Sequence, residues 1–244
     1  MKAELIDHMG TDLTCVNAAR VSFSAVSTEL NKKDIGLINF LARGCMTGEW
    51  NTVIQDLYQD GAMTHEDIEN VLKWAKNMPT HWSPFAHATI TMRETVPIFV
   101  ARQRFKHVVG FSYNEVSRRY VDDTPEFHMP EVWRARPVGN IKQGSGDKHP
   151  GSEDMDWVYR NHLSDVKAIY EDMIALGYAP EQARMVLPQS MLTTYWVTGS
   201  LYAWANAYIQ RSDPHAQVEI QQLAAQWETI IQPLFPESWE ALTK

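Results

Sequence analysis

The sequence predicts an α+β fold in a single domain, residues 1–244, because strand-like and helix-like patterns follow one another without an intervening linker. Ala88–Arg93 alternates apolar and polar residues with period two, which indicates a half-buried strand. Met155–Leu176 places apolar residues three and four positions apart, which predicts a long helix with one buried face. With 244 residues and 44% hydrophobic content, the chain is long enough to bury a sizeable core.

Further helices are predicted on both sides of that strand. Thr64 precedes Asp67 by three residues, a spacing typical of a helix start. Pro97 suits the first turn of a helix that runs to about Lys106, because its fixed φ fits that position. The predicted helices are Lys33–Ala42, Trp50–Tyr58, Glu66–Lys76, Pro97–Lys106, Met155–Leu176 and a last one from Pro214 onward.

No charged residue occurs in the 26 positions between Arg184 and Arg211. A membrane-spanning helix would have that length, but Pro188 and Gly199 interrupt the stretch. Its threonine, asparagine and glutamine side chains would also need hydrogen-bond partners in lipid. We therefore expect a buried core helix whose polar groups face a cavity, with an anionic partner for the two arginines at its ends.

Asp122–Gly151 is the one long irregular stretch of the sequence. It contains four prolines and several glycines, and it shows neither helical nor strand periodicity. A loop of that length inside a compact domain is usually a lid, a binding loop or disordered. We predict that residues 122–151 form a long loop or lid inside the single domain.

Charge and cysteine content restrict the function classes. The chain has 22 Lys+Arg and 30 Asp+Glu, and the resulting net charge of −8 argues against a nucleic-acid binder. Cys15 and Cys45 are too few for a disulfide framework and are predicted to be reduced core residues. The N-terminal segment has no signal-peptide pattern, so we expect a soluble, cytoplasmic protein that binds no membrane.

Basic residues are concentrated locally within this acidic chain. Arg102–Arg119 contains five of the 22 cations together with His107, while its one acid is Glu115. Such a cluster favours a site for a small anion such as a phosphate over a polymer track. The alternative interpretation is a solvated helix face, which a run of charge often forms.

Motifs of common catalytic classes are missing. The sequence has no HExxH, no GxxxxGK[ST], no GxGxxG and no GxSxG. His81 and His87 are six residues apart, which matches no standard metal-ligand spacing, so no metal site is predicted. If the protein is an enzyme, a bound cofactor is expected to supply the difficult chemistry.

The strongest motif is Asn114-Glu115-x-Ser117-x-Arg119-Tyr120, which follows Lys106-His107-Val108. This segment resembles the signature of the flavin-dependent thymidylate synthases, in which the triplet Arg-His-Arg precedes a serine by seven or eight residues. Here eight residues separate Lys106-His107-Val108 from Ser117. Lysine and valine thus stand where the family has two arginines.

A competing register of the same signature pairs Arg102-Gln103-Arg104 with Ser112, seven residues later. We prefer the first register, because Asn114-Glu115 and Arg119-Tyr120 flank Ser117 as in the family. Further segments resemble family blocks in the same order: Ala19–Phe23, Ser83–His87, Pro97–Gln103, Ala183–Pro188 and Arg211–Ile220.

The resemblance implies an enzyme, a methyltransferase that converts dUMP into dTMP by reductive methylation. Methylenetetrahydrofolate would donate the carbon, FAD would carry the hydride and NADPH would be the reductant, without a covalent enzyme nucleophile. It also implies a homotetramer with active sites shared between subunits. The expected fold has a central, mostly antiparallel sheet flanked by long helices and a helical C-terminal half.

Matching positions with the family gives the expected site residues. Those expected to contact dUMP are Gln103, Lys106, Glu115, Val116, Ser117, Arg118, Arg119, Arg184 and Arg211. Those expected to border FAD are Ser83, Lys106, His107, Val108, Glu115, Ser200, Tyr202 and Asn206. Arg211 has the implied catalytic role, because a fixed cation at the uracil edge favours the N3-ionised ring.

Two alternatives remain open at the level of the sequence. Lys106 and Val108 lack the planar donors of the family arginines, so the chain could be a catalytically inactive homologue that binds nucleotide or flavin. The second alternative is a metal-dependent nucleotide hydrolase, but no cluster of carboxylate or histidine ligands in the sequence supports it.

Overall fold

The computed structural model describes residues 1–43, 45, 64–76, 80–138 and 144–244. Within this part of the chain, the strands are β1 (Lys2–Met9), β2 (Thr89–Pro97), β3 (Phe111–Glu115) and β4 (Leu192–Ser200). The α-helices are α1 (Asp12–Arg20), α2 (Lys32–Ala42), α3 (His65–Lys76), α4 (Ile98–Arg104), α5 (Ser152–Ala175), α6 (Pro180–Ala183), α7 (Leu201–Ser212), α8 (Val218–Ile231) and α9 (Pro236–Thr243).

The chain divides into two compact units, each built from three segments. The first unit consists of Met1–Asp7, Thr91–Gly199 and Ala207–Ile230, and the second consists of His8–Ile90, Ser200–Asn206 and Ile231–Lys244. Helix α7 therefore contributes its first half to the second unit and its second half to the first. The prediction of a single domain stays a prediction.

The first unit is built on a four-stranded sheet with the strand order β1-β2-β4-β3. Strands β3 and β4 pair antiparallel, with Phe111 opposite Gly199 and Glu115 opposite Tyr195. The mixed architecture with an antiparallel sheet confirms the α+β class. Only β2 was predicted as a strand from its alternation, whereas β1, β3 and β4 were not.

The prediction of one core helix between Arg184 and Arg211 is wrong. The structure places strand β4 in the middle of this stretch and begins helix α7 directly after it, at Leu201. Residues of β4 alternate between buried and accessible positions, and most of them are β-branched or aromatic. Such residues fit the pleated surface of a sheet better than the turns of a helix.

Helix α4 connects the sheet to the segment with the family signature. It begins after Pro97, whose backbone is extended, and it ends at Arg104, two residues earlier than predicted. The next three N–H groups donate to carbonyl oxygens of the last helical turn, and Gly110 then adopts a positive φ of 77°. The chain thereby reverses direction within six residues and enters β3.

The helices flanking the sheet follow their predicted apolar faces. In α5, Leu163, Val166 and Tyr170 are buried, as the spacing of the sequence predicts. The last predicted helix is divided: α8 begins at Val218, and a separate helix α9 follows. The later start has a local cause, because Asp213 accepts a hydrogen bond from a backbone N–H in a turn before the helix.

The second unit has its own core around Trp204, whose indole N–H donates to the Ile90 carbonyl at 3.2 Å. The buried Asp12 carboxylate accepts bonds from two backbone N–H groups at the start of α9, at 3.0 and 2.9 Å. A carboxylate at a helix N-terminus satisfies free donors and favours the helix dipole. Cys15 and Cys45 are buried free thiols, as predicted.

The remaining sequence-based expectations have different outcomes. Trp50–Tyr58 lies outside the described residues, whereas Lys33–Ala42 and Glu66–Lys76 are confirmed as helices α2 and α3. The described part of 122–151 contains isolated bridges but no regular strand or helix before Ser152, and its role as a lid stays a prediction. Among the described helices, none has both the length and the apolar composition needed to cross a membrane.

Gly199→Ala is predicted to destabilise the protein by about 1–3 kcal/mol, because a Cβ there would lie 2.3 Å from the Phe111 ring. The matched control is Gly36→Ala in helix α2, where a Cβ meets no atom within 4 Å. Alanine should stabilise that helix by about 0.5–1 kcal/mol. Urea unfolding followed by tryptophan fluorescence measures both effects, and equal stability of the two variants would contradict the prediction.

Candidate active site

Three of the predicted site residues are joined by hydrogen bonds in the first unit. The Arg211 guanidinium, near the end of α7, donates from Nε to His107 Nε2 at 2.8 Å. It also donates from Nη2 to the Gln103 carbonyl oxygen at 3.0 Å. His107 lies in the turn after α4, and Gln103 lies in the last turn of that helix. The turn and the end of α7 therefore form one cluster of polar groups.

The His107 ring is neutral in this arrangement. Burial of the half-exposed ring and the positive charges of Arg211 and Arg104 lower the pKa of His107 to about 4 from an ordinary 6.5. A neutral imidazole with Nε2 as the acceptor must carry its proton on Nδ1. The Arg211 bond therefore selects both the charge state and the tautomer of His107.

One edge of the Arg211 guanidinium, at Nη1, is available to a ligand. Its Nε and Nη2 are engaged, whereas Nη1 makes no hydrogen bond with any residue in the described part of the chain. Burial, and next the charge of Arg104, lower the pKa of Arg211, yet arginine stays protonated at neutral pH. A half-buried cation held by two neutral acceptors retains its charge for interaction with an electron-rich group.

Gln217 completes this cluster and was not assigned a role from the sequence. Gln103 Nε2 donates to Gln217 Oε1 at 2.6 Å, which fixes the Gln103 side chain beside the Arg211 contact. Gln217 lies within the Arg211–Ile220 block that resembles the family. The family block therefore pointed to Gln217, but residue spacing alone does not show that its side chain contacts Gln103 on α4.

The signature residues after β3 form a second group. Thr193 Oγ1 donates to Glu115 Oε1 at 2.7 Å, and the Val116 N–H donates to the Thr194 carbonyl oxygen at 2.9 Å. The Ser117 hydroxyl oxygen lies 3.3 Å from Arg119 Nε. Arg119 is exposed, so its guanidinium is accessible to an anion from solvent.

The other predicted contacts lie apart from these groups. Arg118 forms an ion pair with the Asp123 carboxylate, which partly neutralises its charge. Arg184 is exposed, and its Nε donates to the carbonyl oxygen of Glu181, one turn earlier in the chain. Lys106 is exposed, and Val108 has 67% of its surface accessible.

The structure also discriminates between the two registers of the signature. Arg104, the third residue of the competing triplet, has no exposed surface and forms an ion pair with Glu94 inside the unit. Ser112, the serine of that register, lies on strand β3. By contrast, Lys106 and His107 lie in the turn, where they are at least partly accessible. Ser112 is exposed and Ser117 is partly exposed, so the burial of Arg104 is the one observation that argues against the competing register.

Four of the predicted flavin-bordering residues belong to the second unit. Ser83 lines a pocket of about 560 Å³ whose wall also includes Phe23, Phe40 and His81. Tyr202 stacks on Trp82 with ring centroids 5.7 Å apart. Ser200, the last residue of β4, accepts at Oγ from the Ala203 N–H in the first turn of α7, and Asn206 Nδ2 donates to the Tyr202 carbonyl oxygen within that helix.

No group of three or more histidine, cysteine, aspartate or glutamate side chains in the described residues could hold a metal ion. Both cysteines are buried, and burial raises the pKa of the Cys15 thiol to about 12. A thiol with such a pKa is a poor nucleophile at neutral pH.

Known proteins match this chain along nearly its whole length. A family model described as thymidylate synthase complementing protein matches residues 4–237. The flavin-dependent thymidylate synthase of Thermosipho africanus is 31% identical over 242 residues, which cover 98% of this chain and 90% of that relative. The enzyme of the same name from Thermus thermophilus is 30% identical over 237 residues, covering 97% and 73%.

A solved structure is similar in fold. The crystal structure of a UMP/dUMP methylase, PolB from Streptomyces cacaoi, bound with 5-Br dUMP, superposes with a TM-score of 0.73 at 25% sequence identity. The similarity covers 99% of this chain and 94% of that one. It therefore includes both compact units.

The neutral state of His107 predicts a pH dependence of stability. Between pH 6.5 and about 4, the unfolded chain binds a proton at this position that the folded chain does not bind. The free energy of unfolding should therefore fall as the pH is lowered through this range. His107→Gln removes this contribution, because glutamine offers an acceptor but does not titrate.

Urea unfolding of both proteins at pH values between 4 and 7.5 measures the effect. The difference in unfolding free energy between the wild type and the variant should shift in favour of the variant as the pH falls. An identical pH slope for the two proteins would contradict the assignment of a low pKa to His107.

Proposed function

The chain belongs to the thymidylate synthase complementing protein family, and on this premise we propose that it converts dUMP into dTMP by reductive methylation. Family membership confirms the resemblance that Lys106, His107, Val108 and Ser117 carry in the sequence. Methylenetetrahydrofolate is the carbon donor, FAD is the hydride carrier and NADPH is the reductant. The protein is thus an enzyme, a flavin-dependent methyltransferase.

The observation that carries the proposal is the Arg211–His107–Gln103 cluster. Uracil must accept electron density in its ring before its C5 can form a bond to the transferred carbon. A fixed guanidinium at the ring edge stabilises the N3-ionised form, and preorganised charges of this kind cost no reorganisation during the reaction. The free Nη1 edge of Arg211 suits that role, and His107 and Gln103 hold the guanidinium in orientation.

The reaction needs no covalent enzyme nucleophile. The buried thiol of Cys15 has a raised pKa, as does that of Cys45, so neither is reactive at neutral pH. Within the described part of the chain, the Ser117 hydroxyl bonds to Arg119 and to no base that would remove its proton. We assign Ser117 as a ligand of the nucleotide.

Anion recognition is assigned to the exposed cations of the first unit. Arg119, Arg184 and Lys106 are exposed, and a nucleotide phosphate attracts such groups through charge-assisted hydrogen bonds. Glu115, Val116 and Arg118 complete the set assigned to dUMP, together with Gln103, Ser117 and Arg211. The local accumulation of cations in an acidic chain supports this assignment.

The residues present fit a flavin. The pocket of the second unit joins the apolar surfaces of Phe23 and Phe40, which suit a planar ring, to the Ser83 hydroxyl. When bound, FAD would accept a hydride from NADPH, and the reduced flavin would supply it for reduction of the transferred carbon. Within the second unit, the residues assigned to hold FAD are Ser83, Ser200, Tyr202 and Asn206. The resemblance implies that Lys106, His107, Val108 and Glu115 also border a flavin.

We further propose that the enzyme is a cytoplasmic homotetramer whose active sites combine several subunits. Val109, Trp157 and Leu176 have 86%, 69% and 76% of their surfaces exposed, which supplies apolar surface that an assembly would cover. The exposure of Arg119 and Arg184 also fits completion of a site by a second subunit.

The alternative, a catalytically inactive homologue, is not favoured. The substitution of Lys106 and Val108 for arginines affects accessible positions. Arg211 is hydrogen-bonded to His107, and Ser117 is hydrogen-bonded to Arg119. The loss of two planar donors thus changes phosphate or flavin contacts without removing the catalytic cation.

The direct test is tritium release from dUMP labelled at C5, because this hydrogen leaves as the new carbon bond forms. Release into water is expected in the presence of FAD, NADPH and methylenetetrahydrofolate, together with formation of dTMP. Assays that omit NADPH or folate should give no dTMP. Binding of dUMP and FAD without any release under complete conditions would instead establish the inactive alternative.

Arg211→Ala should lower the rate of dTMP formation by about 10²- to 10³-fold, the usual effect of removing one preorganised charge-stabilising donor. The flavin absorbance per protein should stay at the wild-type value. The matched control is Arg160→Ala, because Arg160 is an exposed arginine of α5 that pairs with Asp156. Turnover of Arg211→Ala at the wild-type rate would exclude the catalytic role of Arg211.

A further inference from the structure

Arg104 is a charged residue that none of the proposed ligand contacts uses. Its side chain has no exposed surface, and its Nε lies 3.4 Å from Glu94 Oε2, which is also fully buried. The guanidinium carbon lies 4.3 Å from the centre of the Phe111 ring and 4.8 Å from that of Trp227. Aromatic faces attract a cation, so the enclosure replaces part of the lost hydration.

Tyr113 connects this buried cation to the turn that carries His107. Arg104 Nη1 donates to the Tyr113 hydroxyl oxygen at 2.6 Å. The hydroxyl lies 2.8 Å from the His107 carbonyl oxygen and 3.2 Å from the Arg104 carbonyl oxygen. Since the oxygen accepts from a cation, its own proton becomes a stronger donor to the turn.

The Glu94 carboxylate of the ion pair is hydrogen-bonded to a residue of strand β4. Tyr195 donates its hydroxyl proton to Glu94 Oε2 at 2.5 Å, and its ring contacts Phe105 edge to face at 4.8 Å. Tyr195 therefore acts on the carboxylate, and its hydroxyl makes no bond with the turn. The half-buried Tyr113 and the buried Tyr195 thus make separate hydrogen bonds within one cluster.

We propose that Arg104 and Tyr113 are positioning residues for the reaction, which hold the His107 turn so that its ring accepts the Arg211 hydrogen bond. The inference rests on the proposed function for its kinetic consequence only. The chain of contacts runs from Glu94 through Arg104 to the Tyr113 hydroxyl, then through the His107 backbone to Arg211.

Energetics favour a positioning role over a purely stabilising one. A buried ion pair gains little net stability, because desolvation of both charges offsets their attraction. Its effect is to fix direction, since a guanidinium donates along rigid axes in its plane. Here Arg104 Nη1 donates to the Tyr113 hydroxyl, which in turn contacts the His107 carbonyl oxygen. A displacement of about 1 Å in a reacting group can lower a rate by up to 10²-fold.

The test compares two deletions of a single hydroxyl group, Tyr113→Phe and Tyr195→Phe. Both remove one hydroxyl oxygen from the same cluster, but only the first removes a contact to the His107 turn. The readouts are the ¹⁵N resonances of the His107 imidazole across pH, the thermal midpoint, and kcat and KM for dUMP. The NMR measurement requires no turnover and is therefore independent of the proposed function.

We expect Tyr113→Phe to raise the pKa of His107 from about 4 towards 6.5 and to weaken the Nδ1–H tautomer signal. The two cations that face the ring, Arg211 and Arg104, are unchanged in this variant, so the shift would report hydration of a loosened turn. The kcat should fall by about 10-fold or more, with a smaller change in KM. Tyr195→Phe should lower the thermal midpoint but keep the His107 resonances and stay within about twofold in kcat.

Two results would overturn the proposal: unchanged His107 resonances in Tyr113→Phe, or the same resonance changes and loss of kcat in both variants. The second result would reveal a general structural role of the cluster. A wild-type protein without dTMP formation would refute the proposed function. In that case, the His107 resonances of the two variants would still decide whether Tyr113 positions the turn.

Discussion

The ion pair between Arg104 and Glu94 is the interaction on which the first unit depends. Neither side chain has exposed surface, so the protein must provide the hydrogen bonds and charge stabilisation that water gives to exposed ions. Aromatic rings from β3 and α8 face the guanidinium, which donates to the Tyr113 hydroxyl of β3, while the Tyr195 hydroxyl of β4 donates to the Glu94 carboxylate. One charged centre thereby connects β2, β3, β4 and α8. The turn after α4 is the point where this centre reaches the candidate site.

Three arginines of the first unit have different tasks, although two of them, Arg104 and Arg119, belong to the same basic segment of the sequence. Arg104 is internal, Arg211 is half-buried with one free edge, and Arg119 is exposed. The buried Arg104 suits a positioning role, the half-buried Arg211 suits stabilisation of charge on a ring, and the exposed Arg119 suits capture of an anion from solvent. His107 stays neutral between two of these cations because burial and their charges both oppose its protonation. An acidic protein can thus recognise an anionic nucleotide with cations gathered in one place.

Part of the fold and of the site could be predicted from local patterns. The helices from Lys33 and Met155 and the strand from Ala88 have periodicities that only one secondary structure satisfies. The uncharged stretch before Arg211 was misassigned, because a continuous apolar and hydroxyl-rich run has no period that separates a strand from a buried helix. The Arg211–His107 hydrogen bond joins residues 104 positions apart, which no spacing rule reaches. Gln217 was missed for the same reason.

The sequence by itself determined the α+β class, the long helices and the family signature, because amphipathic spacing and motif order are properties of neighbouring residues. It also limited the chemistry, since an acidic chain with two cysteines favours neither nucleic-acid binding nor a thiolate cluster. Only the tertiary structure decided which cation is buried, which histidine tautomer is present and which hydrogen bonds hold Arg211. These outcomes depend on burial and on partners from distant strands and helices, since the environment of a charge sets its role.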